Sequence, residues 1–339
     1  MSGPSSYSRP RLKMHHLGEL VDHILHEITL QGWKADLNHL DVSDITSFDS
    51  LFSLSGYALH QFNGDISQWD VQKAISMQEM FYGSSFEGDL SQWNVSQVKN
   101  MDQMFKSSMF NGDISNWNVS NVETMAQMFM HARFNHPLET WDVSRVKNMS
   151  GMFFNHQSFN HPIDKWDVSQ VEDMSGMFCG CKVFGQPLND WDVSKVKTTE
   201  SMFSYSTFNQ PLDRWDVRQI KNADSMFFQS SYEHDLRTWD LQNLVNGFCM
   251  FKHSKVSHAP IPPLLKQYFH ENSADFPDHF REYVDNTPFH RHLLNQGYLK
   301  SNALDPFLAW VKTTVQQEHL EQHLNNPTTP NNPPSKIRL

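Results

Sequence analysis

Residues 134–153 read FNHPLETWDVSRVKNMSGMF, and close variants of this stretch return along most of the chain. Tryptophans stand at 69, 93, 117, 141, 166, 191, 215 and 239, separated by 24, 24, 24, 25, 25, 24 and 24 residues. Each is followed by Asp or Asn and then by Val or Leu, and each copy closes on Met-Phe, from Met80-Phe81 to Met250-Phe251. A further Phe or Tyr follows at 86, 110, 134, 159, 184, 208 and 232, with Phe62 ahead of the first Trp. Leu40-Asp41-Val42 and Leu51-Phe52 form an imperfect opening copy, so about nine coils span residues 40–251. An aromatic that recurs once per coil is the mark of a stacked interior, because no single repeat can bury its apolar side alone.

Within a copy, Trp93 and Val95 are two residues apart, the spacing of one face of a short strand. Val98, Met101 and Met104-Phe105 then follow in three-residue steps, which suit a 3₁₀-like or short helical turn. The expected fold is therefore a leucine-rich-repeat-like α/β solenoid with short parallel strands. A WD propeller needs roughly 40–45 residues per repeat, so the 24-residue period excludes it.

The unit F-N-x-x-L/I-x-x-W-D-V-S-x-V-x-x-M-x-x-M-F resembles the repeat of BspA-like leucine-rich-repeat proteins and of mycoplasma lipoprotein-type surface proteins. The resemblance implies a non-enzymatic recognition scaffold, often on a cell surface and sometimes used in adhesion. Near its start the sequence shows neither an apolar export segment nor a lipobox cysteine. The expected location is cytoplasmic, with export by an unrecognised signal as the alternative.

The protein has 339 residues and a net charge of −11, which argues against general binding of nucleic acid or anionic membranes. Its apolar runs are only a few residues long, so no membrane insertion is expected. Three cysteines cannot form a disulfide framework and fit a reducing compartment. Phe, Tyr and Trp total 13% of residues, far too many for a disordered protein. Nineteen histidines, if they titrate at the ordinary imidazole value, are expected to draw the net charge towards zero just below neutrality.

The ends read differently. Residues 1–13 are expected to be disordered, and 14–39 to carry a capping helix with Leu17, Leu20, Val21, Ile24, Leu25 and Ile28 at helical spacing. The solenoid is assigned to 40–255. Residues 256–324 read as a helical cap or an independent module, and the Pro/Asn-rich 325–339 as a disordered tail.

If Trp and Val point inward, their neighbours point outward. The residue between them reads Asp70, Asn94, Asn118, Asp142, Asp167, Asp192, Asp216 and Asp240. This near-constant column suits a structural duty, with Asx side chains bonding nearby backbone, although a contact role for Asp142, Asp167, Asp192 and Asp216 stays open. The residue before Trp varies: Gln68, Gln92, Asn116, Thr140, Lys165, Asp190, Arg214 and Thr238. That variation makes it the better candidate for contact with a protein partner. Upstream of each Trp, Gly64, Gly88 and Gly112 give way to Pro137, Pro162, Pro187 and Pro211. Gly at these turns suggests unusual φ, and Pro a stiffer middle and late array.

Catalytic and cofactor signatures are missing: there is no phosphate-binding Gly-rich loop, nucleophile elbow or dinucleotide fingerprint. Cys179 and Cys181 lack a second thiol pair for zinc and are expected to be buried. His319 and His323 are four apart without a third ligand, and His15-His16 and His290/His292 are weaker still. No metal, cofactor or enzyme activity is therefore expected. The alternatives to an interaction scaffold are a secreted effector or adhesin that recognises host protein, and a carbohydrate-active or metal-dependent solenoid enzyme.

Overall fold

The computed structural model describes residues 11–255, apart from 237, 248, 249 and 252. Two compact units divide the protein, Met1–Pro260 and Ile261–Leu339, and every described residue belongs to the first. The helical segment expected over 256–324, the tail, and His290, His292, His319 and His323 lie outside the described residues.

The inward columns form one continuous core. The eight tryptophans of the repeat are 3–4% exposed, whereas Trp33 outside it is exposed, and every Phe of the Met-Phe column from Phe52 to Phe227 is fully buried. Successive Phe rings of that column stack 5.5–5.9 Å apart, with planes 5–14° from parallel, from Phe52 and Phe81 through to Phe227 and Phe251. Within a coil the third column closes on the second, as where Phe105 and Phe110 lie 4.4 Å apart. Each such pair contributes about 0.5–1.5 kcal/mol beyond its buried area.

Each coil is a run of turns. Trp93 N–H donates to Leu90 O, Val98 to Val95, Met104 to Met101 and Ser108 to Phe105. The three-residue steps are therefore i→i+3 turns, but not a continuous 3₁₀ helix. Left-handed residues interrupt them, Gln103 at φ 57° and Ser107 at φ 54°.

The segment that joins one coil to the next also differs from expectation. It is Met-x-x-Met-Phe, not Trp-Asp-Val. The N–H groups of Met101, Gln103, Phe105 and Ser107 donate to the carbonyls of Thr124, Ala126, Met128 and Met130, at 2.7–3.0 Å. The intervening N–H groups of Met104, Lys106 and Ser108 are used by the turns, and that of Asp102 by the Asn100 side chain. Every amide from 101 to 108 thus has a partner, half along the sequence and half across coils, as a buried backbone requires. Parallel bridges run in the same register from Ser47 and Ser76 through Asn100, Thr124, Asn148, Asp173, Thr198 and Asn222 to Asn246. Among the described residues the regular elements are β1 (Leu12–Lys13), α1 (Leu17–Gln31) and β2 (Leu40–Asp41).

At the N-terminal end, β1 pairs in parallel with β2, Leu12 opposite Leu40 and Lys13 opposite Asp41. Leu12 and Lys13 fall in the stretch 1–13 expected to be disordered, and here they pair with Leu40 and Asp41 of the first coil. Helix α1 starts from a reciprocal cap, with Glu19 N–H donating to His16 Nδ1 and His15 N–H to the Glu19 carboxylate. Its Leu20, Val21 and Ile24 join the core.

The glycines of the early turns were expected for unusual φ, and the structure gives a different reason. Gly64, Gly88 and Gly112 are not among the left-handed residues. A Cβ on Gly64 would lie 2.0 Å from Ala35 O and 2.8 Å from the Phe62 ring, and one on Gly88 would lie 2.6 Å from the Phe86 ring. In these coils the next residue, Asp65, Asp89 or Asp113, accepts from the N–H two residues on. The next two coils put His-Pro there instead and the following two Gln-Pro, and His136 and His161 bond through Nε2 to the carbonyls of Asn111 and Asn135. The two 25-residue coils carry their extra residue between Met-Phe and the next Phe, leaving Gln157, Ser158, Lys182 and Val183 exposed.

Candidate interaction surface

The Trp-Asp-Val segment is built around the indole. In all eight copies Trp Nε1–H donates to a carbonyl of the preceding coil, from Trp69 to Leu37 O through to Trp239 to Leu212 O, at 2.8–3.2 Å. This fixes the ring inward, and the Asp or Asn after it turns outward. In all eight coils that side group's Oδ1 accepts the N–H two residues later, at 3.0–3.2 Å. The column therefore closes an Asx turn in every coil.

Closing the turn occupies one oxygen of each carboxylate. Asp142, Asp167 and Asp192 are exposed, and none is in an ion pair among the described residues. Asp216 is half-buried and paired to Arg218, which holds its carboxyl below the usual range; Asp142 is lowered too, chiefly by the Ser144 hydroxyl.

All eight residues before Trp are exposed. Gln68 and Gln92 bond the serine just before them, and Thr140 and Thr238 donate to the carbonyls of Ser115 and Asp213. Arg214 pairs with Asp190 at 2.7 Å and Lys165 with Asp164 at 3.0 Å. Lys165 is thus spent on its own neighbour Asp164 and Arg214 on Asp190 of the same column, and the row Asp142, Asp167, Asp192 has no ion pair among the described residues. That row alternates with Asn116, Thr140, Lys165 and Asp190 along one edge of the coils.

A second row escaped sequence reading. In five successive copies the residue after the second Val runs Lys99, Glu123, Lys147, Glu172, Lys197, with Lys221 at the same position of the next. Glu123 lies 3.8 Å from Lys99 and 3.7 Å from Lys147, and Glu172 bonds Lys197. The alternation of sign at one repeat position was the available signal. Its two glutamates pair with three lysines, so the row keeps a small net positive charge that solvent and salt screen at this exposed surface.

Cys179 and Cys181 are buried free thiols, pushed by burial to about 11 and about 12. Both stay protonated near neutrality and are poor nucleophiles or ligands there. Among the described residues no three His, Cys, Asp or Glu residues converge on a metal position, and no helix is long and apolar enough to cross a membrane.

A family model described as "Mycoplasma protein of unknown function, DUF285" matches at residues 25–135, 84–170, 130–231 and 155–264. No curated protein and no solved structure matches the sequence. The overlapping matches follow the coils and together take in well over half of the 339 residues, so the chain belongs to this mycoplasma repeat family.

Proposed function

We propose that this protein is a non-enzymatic recognition protein, a leucine-rich-repeat-like solenoid of the BspA-like type that binds a protein partner along its Trp-Asp-Val edge. The partner it suits is basic or rich in hydrogen-bond donors there. One observation carries the reading: Asx turns hold exposed, ion-pair-free Asp142, Asp167 and Asp192 at one position in successive coils. Carboxylates held in register lose little freedom on binding, and their summed field steers a cationic surface. The varied residues before Trp then supply specificity.

The test is capture by the immobilised full-length protein, compared with a variant carrying Asp142→Asn, Asp167→Asn and Asp192→Asn, which keeps each Asx turn and removes the charge. The expected result is loss of the partner with the fold intact, and weaker capture by the parent as salt rises. Retained, salt-independent capture by the variant contradicts the proposal.

A further inference from the structure

Where 24-residue coils give way to 25, the outer surface loses its regularity. An open depression of about 580 Å³ lies there, on the turns between Met-Phe and the next Phe together with Glu87 and Asn111 just beyond that Phe, and it includes no residue of a Trp-Asp-Val segment. Met109 and Ala132 give it an apolar floor, Arg133 and Glu87 are charged groups at it, and the inserted Gln157-Ser158 stretch forms one wall.

Hydrogen bonding fixes what this site presents. Gln157 Nε2 lies 3.0 Å from Asn155 O and 3.2 Å from Gly180 O, and backbone carbonyls only accept. That orients the Gln157 amide and makes Asn155 Oδ1, 2.8 Å from the same nitrogen, an acceptor. Asn155 Nδ2 therefore faces His131 Nδ1, at 2.9 Å, as donor. Nδ1 must then accept, so Nε2 carries the ring proton and is the nitrogen left to donate to a ligand. The His131 ring is further held edge-on against Phe154, with centroids 5.6 Å apart. Arg133 is exposed, and its guanidinium takes part in no ion pair or hydrogen bond among the described residues.

We propose that this depression binds a carboxylate presented by a peptide, from either its free C-terminus or an acidic residue within it. The guanidinium of Arg133 forms the two-pronged contact that matches a carboxylate, and His131 Nε2–H supplies a further donor. The carboxylate of Glu87 takes a peptide N–H, and the floor at Met109 and Ala132 takes the adjoining apolar atoms. The depression is open along one side, which suits a protruding group of a larger partner; small free ligands bury most of their surface. Its turns lie apart from the Trp-Asp-Val edge, so it stands whether or not that edge binds a partner.

The test uses full-length protein labelled at the methionine methyls, with the Met109 signal assigned through Met109→Leu. Three random hexapeptide pools are titrated: one with a free C-terminus, one amidated, and one amidated without Asp or Glu. Shifts at Met109 with the first pool alone assign a terminal carboxylate. Shifts with the first two assign an acidic residue as well. In either case Arg133→Ser should weaken the interaction about tenfold or more, the usual worth of a charge-assisted pair. Because Arg133 is exposed, that variant should fold. No shift with any pool at millimolar concentration, equal shifts with the carboxylate-free pool, or equal shifts in Arg133→Ser would each overturn the proposal.

Discussion

Replacing Asp224 by Ser should stabilise the late coils, and by an amount that depends on pH. Asp224 is 2% exposed, its Oδ1 has no hydrogen-bond partner, and burial together with nearby Glu200 raises its carboxyl from 3.8 to about 8. At pH 7 the folded protein therefore holds a proton that the unfolded protein has released. A raised carboxyl destabilises the fold progressively as pH climbs through 4, levelling off near 8; below 4 both states are protonated and the cost vanishes. At about 1.4 kcal/mol per unit, the penalty is on the order of 4 kcal/mol at pH 7 and between about 1 and 2 kcal/mol at pH 5. Ser150 and Ser175 occupy the same position of earlier coils, so serine fits the backbone. The substitution also gives up the 3.3 Å bond from Ser225, worth roughly 0.5–1 kcal/mol. A net gain of about 3 kcal/mol corresponds to a rise in Tm of about 6–12 °C for a protein of this size. Thermal unfolding of parent and variant at pH 5, 6, 7 and 8 measures it. An equal shift at pH 5 and pH 8, or a loss of stability at pH 7, would refute the reasoning.

Asp167→Asn should leave stability nearly unchanged, because the amide oxygen still closes the Asx turn, whereas Asp167→Ala should cost about 0.5–2 kcal/mol in denaturant unfolding. If partner capture falls equally in both, the charge matters for binding; if both variants are equally stable, the turn role is wrong. Gly64→Ala should destabilise strongly, since its Cβ meets the Ala35 carbonyl at 2.0 Å, while Gly185→Ala, with nothing within 4 Å, should be tolerated. Comparable melting of the two variants would count against the close approach at Gly64. Cys179 and Cys181 should resist alkylation in native protein at pH 8 and react promptly in denaturant. Native-state labelling at the rate of free cysteine would contradict their burial.

The interior was legible in the sequence because its columns are apolar and strictly periodic: Trp, Met and Phe return at one position per coil and all are buried. The cross-coil backbone pairing was not. Left-handed φ is usually signalled by Gly, yet Gln103, Ser107, Gln127 and His131 adopt it here, and among the equivalent positions only Gly83, Gly151, Gly176 and Gly180 carry the signal. Without that cue, the alternation of Trp and Val suggested pairing on the wrong segment of the coil. Strand β1 was equally hidden, since Leu12-Lys13 follows a basic, Ser-rich start and its partner Leu40-Asp41 lies far along the sequence. Exposure of the residues before Trp followed directly from in-out alternation. Which members of the Asp column keep a carboxylate oxygen free of ion pairs could not be read from sequence, because that depends on neighbours such as Arg218, which bonds the second oxygen of Asp216. The depression at Arg133 depends on which residues four successive turns bring together, and a linear repeat does not display that.

The central claim is that coils stack in a register of 24 or 25 residues through their Met-x-x-Met-Phe segments. Scalar couplings across hydrogen bonds, measured by NMR on the full-length protein, test it most directly. The account requires couplings from the amides of Met101, Gln103, Phe105 and Ser107 to the carbonyls of Thr124, Ala126, Met128 and Met130. Couplings from these amides to carbonyls four residues back, or to a Trp-Asp-Val segment, would contradict it.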